Sequence, residues 1–496
     1  MRTLKLYGCP GTGKTFTLLK YFEKELKTIK PNRIGFMTFT RAGRLEALGR
    51  TGMTEEELPY VKTLHAICYK VLAIDQNQLV LGRDLRTFGA SIGVHLSGYT
   101  PDLFNLEAVT DKYPQPTKAD RLLQINHLGR HRGLKLRETL KDAPPEIDFR
   151  YAKWFTQAYR DWKTANGKLD YTDLLSDYLA GGEPLDLDVL FVDEAQDLSW
   201  LQWQVVHKLA SKCQRLYIAG DDDQAIFTWA GASASMFNCE PTDETVVLPQ
   251  SYRLPRIVHE VSQKIIHRVK TRFEKEFRPR NEEGSYKPIG QLDVQHVSNP
   301  TTLVLYRNFH RGISLAAQLE NLGVPFQGAN ATLSNPDVIL ALSGWHCVQE
   351  NQPISMDAAR AIVSNGNPIF LQPDIKSKLE GKTGEISATS LFLPAAFDRE
   401  LYHVLPRLPR LAYLTRAAKQ YGLKKMLAPS INLMSIHQSK GREAHTVVLD
   451  LEMARKTYES YLAEPDDEHR CWYVAVTRAK QELLTLLPSE SMNYAI

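Results

Sequence analysis

The sequence has no C-x-x-C pair; its six cysteines, Cys9, Cys68, Cys213, Cys239, Cys347 and Cys471, lie far apart. That suggests neither a zinc site nor a disulfide framework, and scattered thiols fit a reducing cytoplasm, the expected location. No apolar run reaches the roughly 18 residues that a membrane span needs. The chain enters a buried strand at once, so no signal peptide is expected. Short-period repeats and low-complexity tracts are also missing. Charge of one sign is scarce: the formal net charge is +4 over 496 residues. Any nucleic-acid contact must therefore come from local basic stretches. What is present, 43% hydrophobic and 24% charged residues, is the composition of a globular protein. The length calls for roughly two to four domains.

One stretch organises the rest. Gly8-Cys9-Pro10-Gly11-Thr12-Gly13-Lys14-Thr15 fits the phosphate-loop pattern G-x-x-x-x-G-K-[ST]. Leu4, Leu6 and Tyr7 before it read as a buried strand. Thr15 to Leu26 after it read as a helix, with Phe16, Leu18, Leu19, Phe22 and Leu26 apolar. Such a loop wraps backbone N–H groups around phosphate oxygens at a helix N-terminus, where the dipole favours anions. Lys14 would reach the outer phosphates, and the Thr15 hydroxyl would hold Mg²⁺.

The strands that follow are placed by apolar runs: 33–40, 187–192, 215–219 and 245–248, then 303–306, 431–435, 446–450 and 483–487. Alternation with helical stretches predicts doubly wound parallel sheets, whose ligands sit beyond the carboxyl ends of the strands. Thr63 is placed to cap a helix. Two stretches interrupt the alternation. Residues 80–165 are helical in pattern, and residues 331–429 have weak periodicity with Pro and Gly breaks. Both read as insertions.

Asp193-Glu194-Ala195-Gln196-Asp197 follows the strand ending at Val192. A carboxylate there can hold Mg²⁺, and its neighbour can take a proton from an attacking water. Asp193 is therefore the metal-side residue and Glu194 the general base. Gly220-Asp221-Asp222-Asp223-Gln224 follows the strand 215–219 and runs on to Phe227-Thr228-Trp229-Ala230-Gly231. In this order the segments resemble the motifs of superfamily 1A helicases of the UvrD/Rep/PcrA group. Further segments match: Thr38-Phe39-Thr40, Thr63-Leu64-His65, Leu169 to Leu175, Gln250-Ser251-Tyr252-Arg253, Ser435 to Glu443 and Tyr473 to Ala479.

The resemblance implies two RecA-like P-loop domains, α/β with parallel sheets, each carrying a mostly helical insertion. Residues 1–80 and 166–247 would form the first, with insertion 81–165. Residues 248–330 and 430–496 would form the second, with a shortened insertion 331–429. It also implies an ATP-dependent, Mg²⁺-requiring DNA helicase moving 3′→5′ on single-stranded DNA, acting in replication, repair or recombination and working as a monomer. A translocase that displaces bound proteins while opening duplexes poorly is the alternative, which the short second insertion makes credible. Gln224 would sense the γ-phosphate. Arg253 and Arg478 would be arginine fingers, Tyr252 would pack near the nucleotide and Glu443 near the ribose. Phe39, Phe227 and Trp229 would stack on bases, while Thr63, His65, Ser435 and His437 would hold the DNA backbone. Burial in core is the ordinary alternative for the two phenylalanines and the two histidines.

The sequence departs from the group at several positions. No glutamine motif precedes the P-loop here, which leaves selectivity for ATP over other nucleotides open. Phe16 stands where Arg is usual and would stack on the base or join the helix core; Ala230 also replaces Arg. No nuclease domain is expected after Arg478. Residues 121–137 and 401–425 are basic without an acidic residue, as solvated faces or DNA contacts; 268–280 mixes six basic residues with two glutamates and carries no assignment.

Overall fold

The computed structural model describes residues 1–38, 41–98, 116–143, 146–297, 300–328 and 331–496. The chain divides into two compact units, Met1–Glu283 with Ser460–Thr477, and Gly284–Glu459 with Arg478–Ile496. The sequence reading changes domain at 247/248; in the contacts the change falls at 283/284.

Unit 1 is built on a six-stranded sheet of β1 (Arg2–Gly8), β2 (Ile34–Met37), β3 (Val61–Lys62), β4 (Val189–Val192), β5 (Arg215–Gly220) and β6 (Glu244–Leu248), in the order β3-β2-β4-β5-β1-β6. Every pairing is parallel. Side chains alternate along each strand, so both faces need cover. Val189 and Phe191 join one core with Leu4, Leu6, Leu18 and Phe22. Leu190 and Val192 join the opposite core with Tyr7, Trp203 and Leu216. This explains the uninterrupted apolar runs. Register then levels the strand ends: Gly8 lies beside Leu248, Tyr7 beside Gly220, and Met37 beside Val192. The P-loop, Asp193, Asp221 and Gln250 therefore leave the sheet at one edge.

The first insertion has its own core. Leu85, Phe88, Leu122, Phe155 and Tyr159 pack together from helices Gly82–Ser91, Lys118–Arg132 and Phe149–Ala165. Thr117 starts the middle helix with a capping box, and Gly133, at φ 68°, ends it.

Unit 2 is built on a second parallel sheet of β7 (Ser285–Ile289), β8 (Thr302–Tyr306), β9 (Phe326–Gly328), β12 (Ile431–Ser435), β13 (Ala444–Asp450) and β14 (Ala479–Leu486), in the order β7-β14-β13-β8-β12-β9. A small antiparallel pair, β10 (Ile354–Ser355) and β11 (Glu385–Ile386), lies in the second insertion. That insertion has no core of its own. Trp345, Ile362, Leu391 and Leu414 share one cluster with Val304, Leu433 and Val448 of the sheet. Helix Pro336–Gln349 buries Val338, Ala341, Leu342, Trp345 and Val348. The two parallel α/β sheets agree with the expected fold class.

Residues 248–283 and 460–477 are held to unit 1 by buried charge. The Lys275 ammonium lies 3.1, 2.5 and 2.8 Å from carboxylate oxygens of Asp221, Asp222 and Asp223. Arg272 clamps Asp223 through two bonds of 2.9 and 2.6 Å, and Arg470 donates to the Asp222 carbonyl at 3.0 Å. Burial opposes the charge on Lys275, but the three carboxylates raise its pKa above the usual lysine range. Removing one partner of a buried ion cluster leaves the others uncompensated, at about 3–5 kcal/mol. We expect Lys275→Met to cost about that much in urea unfolding near pH 7. A change below about 1 kcal/mol would mean that the aspartates are satisfied without the lysine.

Candidate functional site

The P-loop carries the geometry its sequence requires. Gly11 and Gly13 have φ of 74° and 80°, in the left-handed region that glycine tolerates. Crowding adds a second demand at Gly11, where a Cβ would come within 2.3 Å of the Arg253 Cβ. The segment that follows β6 sits directly on the loop: Ser251 Oγ donates to the Pro10 carbonyl at 2.7 Å, and the Tyr252 N–H donates to the Gly11 carbonyl at 2.8 Å. Tyr252 and Arg253 are thereby held beside the phosphate loop within unit 1. Tyr252 is 74% exposed.

Lys14 opens the helix Lys14–Glu25 and donates back to the Gly8 carbonyl at 2.8 Å. Thr15 Oγ1 donates to Asp193 Oδ2 at 2.8 Å. A hydroxyl and a carboxylate so paired, beside a phosphate-loop lysine, fit the donor set for Mg²⁺ with a nucleotide. Burial, then the neighbouring Glu194 charge, raise the Asp193 carboxyl to about 7; Thr15 and Lys14 oppose the rise.

Glu194 has the left-handed backbone φ of 51°, uncommon for a residue with a side chain. Its carboxylate is held by a residue to which the sequence reading gave no role. Gln196 Nε2 donates to Glu194 Oε2 at 2.7 Å and to Asp197 Oδ2 at 3.2 Å. Gln196 Oε1 accepts the Asp221 N–H at 3.0 Å. Asp221 Oδ2 in turn accepts from Gln224 Nε2 at 2.6 Å. A continuous chain, Glu194–Gln196–Asp221–Gln224, therefore joins the end of β4 to the end of β5. The three aspartates of that turn could coordinate a cation, but the Lys275 ammonium fills that position.

Comparison with known proteins decides the family. The UvrD/REP helicase N-terminal domain matches residues 1–243, and the UvrD-like helicase C-terminal domain matches residues 397–489. The chain belongs to the UvrD/Rep/PcrA helicase family. An ATP-dependent DNA helicase PcrA of Leuconostoc citreum is 23% identical over 92% of this chain and 63% of its own length. A probable DNA helicase II homolog of Mycoplasma capricolum is 24% identical over 66% and 50%. A Staphylococcus epidermidis PcrA is 25% identical over 52% and 37%. The chain thus spans between about a third and two thirds of these relatives' lengths. A solved arterivirus helicase covers 99% of this chain and 61% of its own at 11% identity with a TM-score of 0.34, too distant to add to the fold.

The residues expected on the DNA side are distributed as follows. Trp229 is 41% exposed. Phe227, read as a second platform, is only 2% exposed and stands edge-on to Trp229 with ring centroids 6.3 Å apart. Its ring backs the tryptophan and offers no face to a base. Phe39 lies outside the described residues. Thr63 Oγ1 accepts from the Ala66 N–H at 3.3 Å and caps the helix Leu64–Val71, as expected. Burial lowers the His65 imidazole to about 4, so it is neutral near pH 7. In unit 2, Ser435 binds Gln438 Oε1 through its N–H at 3.0 Å and its hydroxyl at 3.2 Å, and His437 opens the following turn. Glu443 pairs with Lys480 at 2.9 Å. Arg478 is buried, with Nη1 3.4 Å from the Arg442 carbonyl. Phe16 is not part of the helix core: it is 49% exposed, with Lys20 and Arg50 cations 4.6 and 4.4 Å from its ring centre.

The raised Asp193 carboxyl has a stability consequence. A carboxyl whose folded pKa is raised binds its proton more tightly folded than unfolded. That contribution is complete below the ordinary value of 3.8, fades as pH rises towards about 7, and is gone above it. In nucleotide-free protein, Asp193→Asn should raise the melting temperature by several degrees near pH 8 and by clearly less near pH 5. An equal shift at both pH values would contradict the burial account.

Proposed function

We propose that this chain is an ATP-dependent DNA helicase that moves 3′→5′ along single-stranded DNA and separates duplexes, in replication, repair or recombination. The observation that carries the reading is the hydrogen-bond chain from Glu194 to Gln224, beside a P-loop whose Thr15 already meets Asp193. Family membership supplies the prior, and DNA-stimulated ATP hydrolysis follows as part of the proposal.

In this reading Lys14 and the loop N–H groups bind the β- and γ-phosphates of ATP. Thr15 and Asp193 would hold Mg²⁺, which neutralises charge on those phosphates. Glu194 takes a proton from the attacking water as the water oxygen bonds to the γ-phosphorus and the bond to the ADP oxygen breaks. Gln196 holds the Glu194 carboxylate in one orientation, so the base is not free to rotate away. Gln224 reports the γ-phosphate, and through Asp221 and Gln196 that report reaches the base. The same loop continues to Trp229, so an occupied strand site and an aligned base favour each other.

The remaining assignments belong to the same proposal. Arg253 and Arg478 stabilise the transferred phosphoryl, Tyr252 and Phe16 flank the base, and Glu443 meets the ribose. Trp229 stacks on the strand, while Thr63, His65, Ser435 and His437 meet its backbone. Two RecA-like domains carry these groups, and the protein works as a cytoplasmic monomer.

Duplexes with a single-stranded tail at one end test the polarity. The 3′-tailed substrate should be unwound with ATP and Mg²⁺, and the 5′-tailed one should not. Preference for the 5′ tail would overturn the polarity. Streptavidin displacement from a single strand without duplex separation would replace helicase by translocase.

A further inference from the structure

Trp200 has no part in the ATP chemistry, yet it is 40% exposed, almost as much as Trp229. It begins the helix Trp200–Ala210, directly after the Asp193–Asp197 segment. One face of its indole is covered: a Cβ on Gly133 would come within 2.7 Å of ring atoms Cδ2 and Cε3. The Gly133 backbone therefore lies flat against the ring, and glycine is required both by that approach and by its φ of 68°. A partly exposed ring with a backbone packed against it is held in one place at the surface.

The same short run that supports Trp200 also supports Trp229. Arg132 Nη2 donates to the Thr228 carbonyl at 2.9 Å. A Cβ on Gly231 would meet His131 Cβ at 3.0 Å and Arg132 Cγ at 3.7 Å. His131 Nδ1 bonds Ser199 Oγ at 3.0 Å, and Ser199 forms an isolated bridge with Ala232. Consecutive residues 131–133 thus touch the flanks of both tryptophans, with successive Cα atoms about 3.8 Å apart. Lys135 and Arg137 follow, in a stretch without an acidic residue. Aromatic platforms interleaved with cations are the chemistry that binds single strands without reading sequence.

We propose that Trp200 is a second base-stacking platform for single-stranded DNA, continuing the track that Trp229 begins around the Arg132 side chain. The inference rests on the reading of the protein as a single-strand motor. An isolated exposed tryptophan needs no function. The support from Gly133, the shared anchor with Trp229 and the basic flank favour a nucleic acid over a protein partner.

The test measures affinity for oligodeoxythymidylate and for an abasic oligonucleotide of equal length, by anisotropy. Trp200→Ala should weaken binding of the base-bearing strand by about 5- to 150-fold, the range measured for one stacked base. It should leave abasic binding and the salt slope near wild type, because no phosphate contact is removed. Trp200→Phe, which keeps an aromatic face, should recover most of the loss. Wild-type affinity in Trp200→Ala, or an equal loss on both strands, would overturn the proposal. If wild type binds and Trp229→Ala weakens it while Trp200→Ala does not, only this inference fails. If wild type binds neither strand, the single-strand reading fails with it.

Discussion

A buried amide has to satisfy both of its ends, because an unpaired donor or acceptor there costs as much as the bond would return. Gln196 is fully buried and meets this demand in one way. Its nitrogen serves Glu194 and Asp197, and its oxygen serves the backbone of Asp221. Turning the amide over would set its oxygen against two carboxylates and its nitrogen against an N–H. The orientation is therefore locked, and with it the position of the Glu194 carboxylate.

The other features of unit 1 maintain that arrangement. Parallel register brings Gly8, Val192, Gly220 and Leu248 to one edge, so that the P-loop and both acidic segments leave the sheet together. The Asp221–Asp223 turn would repel itself without a counter-charge. Lys275 supplies it from inside, with Arg272 alongside. The cation that keeps the acidic turn compact also draws residues 248–283 against the P-loop, where Ser251 and Tyr252 bond its carbonyls. The P-loop, Glu194, Gln224 and the Tyr252–Arg253 pair are thus parts of one bonded assembly.

Much of this was legible in the chain because it is local. A glycine-rich loop between a strand and a helix, acidic residues after a buried strand and Thr63 as a cap each depend on a few neighbours. The long apolar strands were visible for the same reason. Short edge strands were not: Val61–Lys62 is too brief to show a period, and Ser285–Ile289 carries Pro288. The linking role of Gln196 was invisible because one of its partners, Asp221, lies 25 residues away in sequence. Lys275 was hidden in a mixed-charge run, 268–280, that carried no assignment. Burial in core was the ordinary alternative for Phe227 and not for Trp229, and packing decides it: the phenylalanine is buried and the tryptophan exposed. The second insertion was hard to read because it shares its core with the sheet.

Under the proposed function, the Gln196 amide links hydrolysis to the strand. The most direct measurement is ATP turnover with and without saturating oligodeoxythymidylate in wild type and Gln196→Leu, a change that removes all three side-chain hydrogen bonds at similar volume. The account predicts that the stimulation ratio collapses towards one in the variant, while affinity for ATP and for the oligonucleotide stays within a few-fold of wild type. An unchanged stimulation ratio, in a variant that folds and binds both ligands, would contradict it.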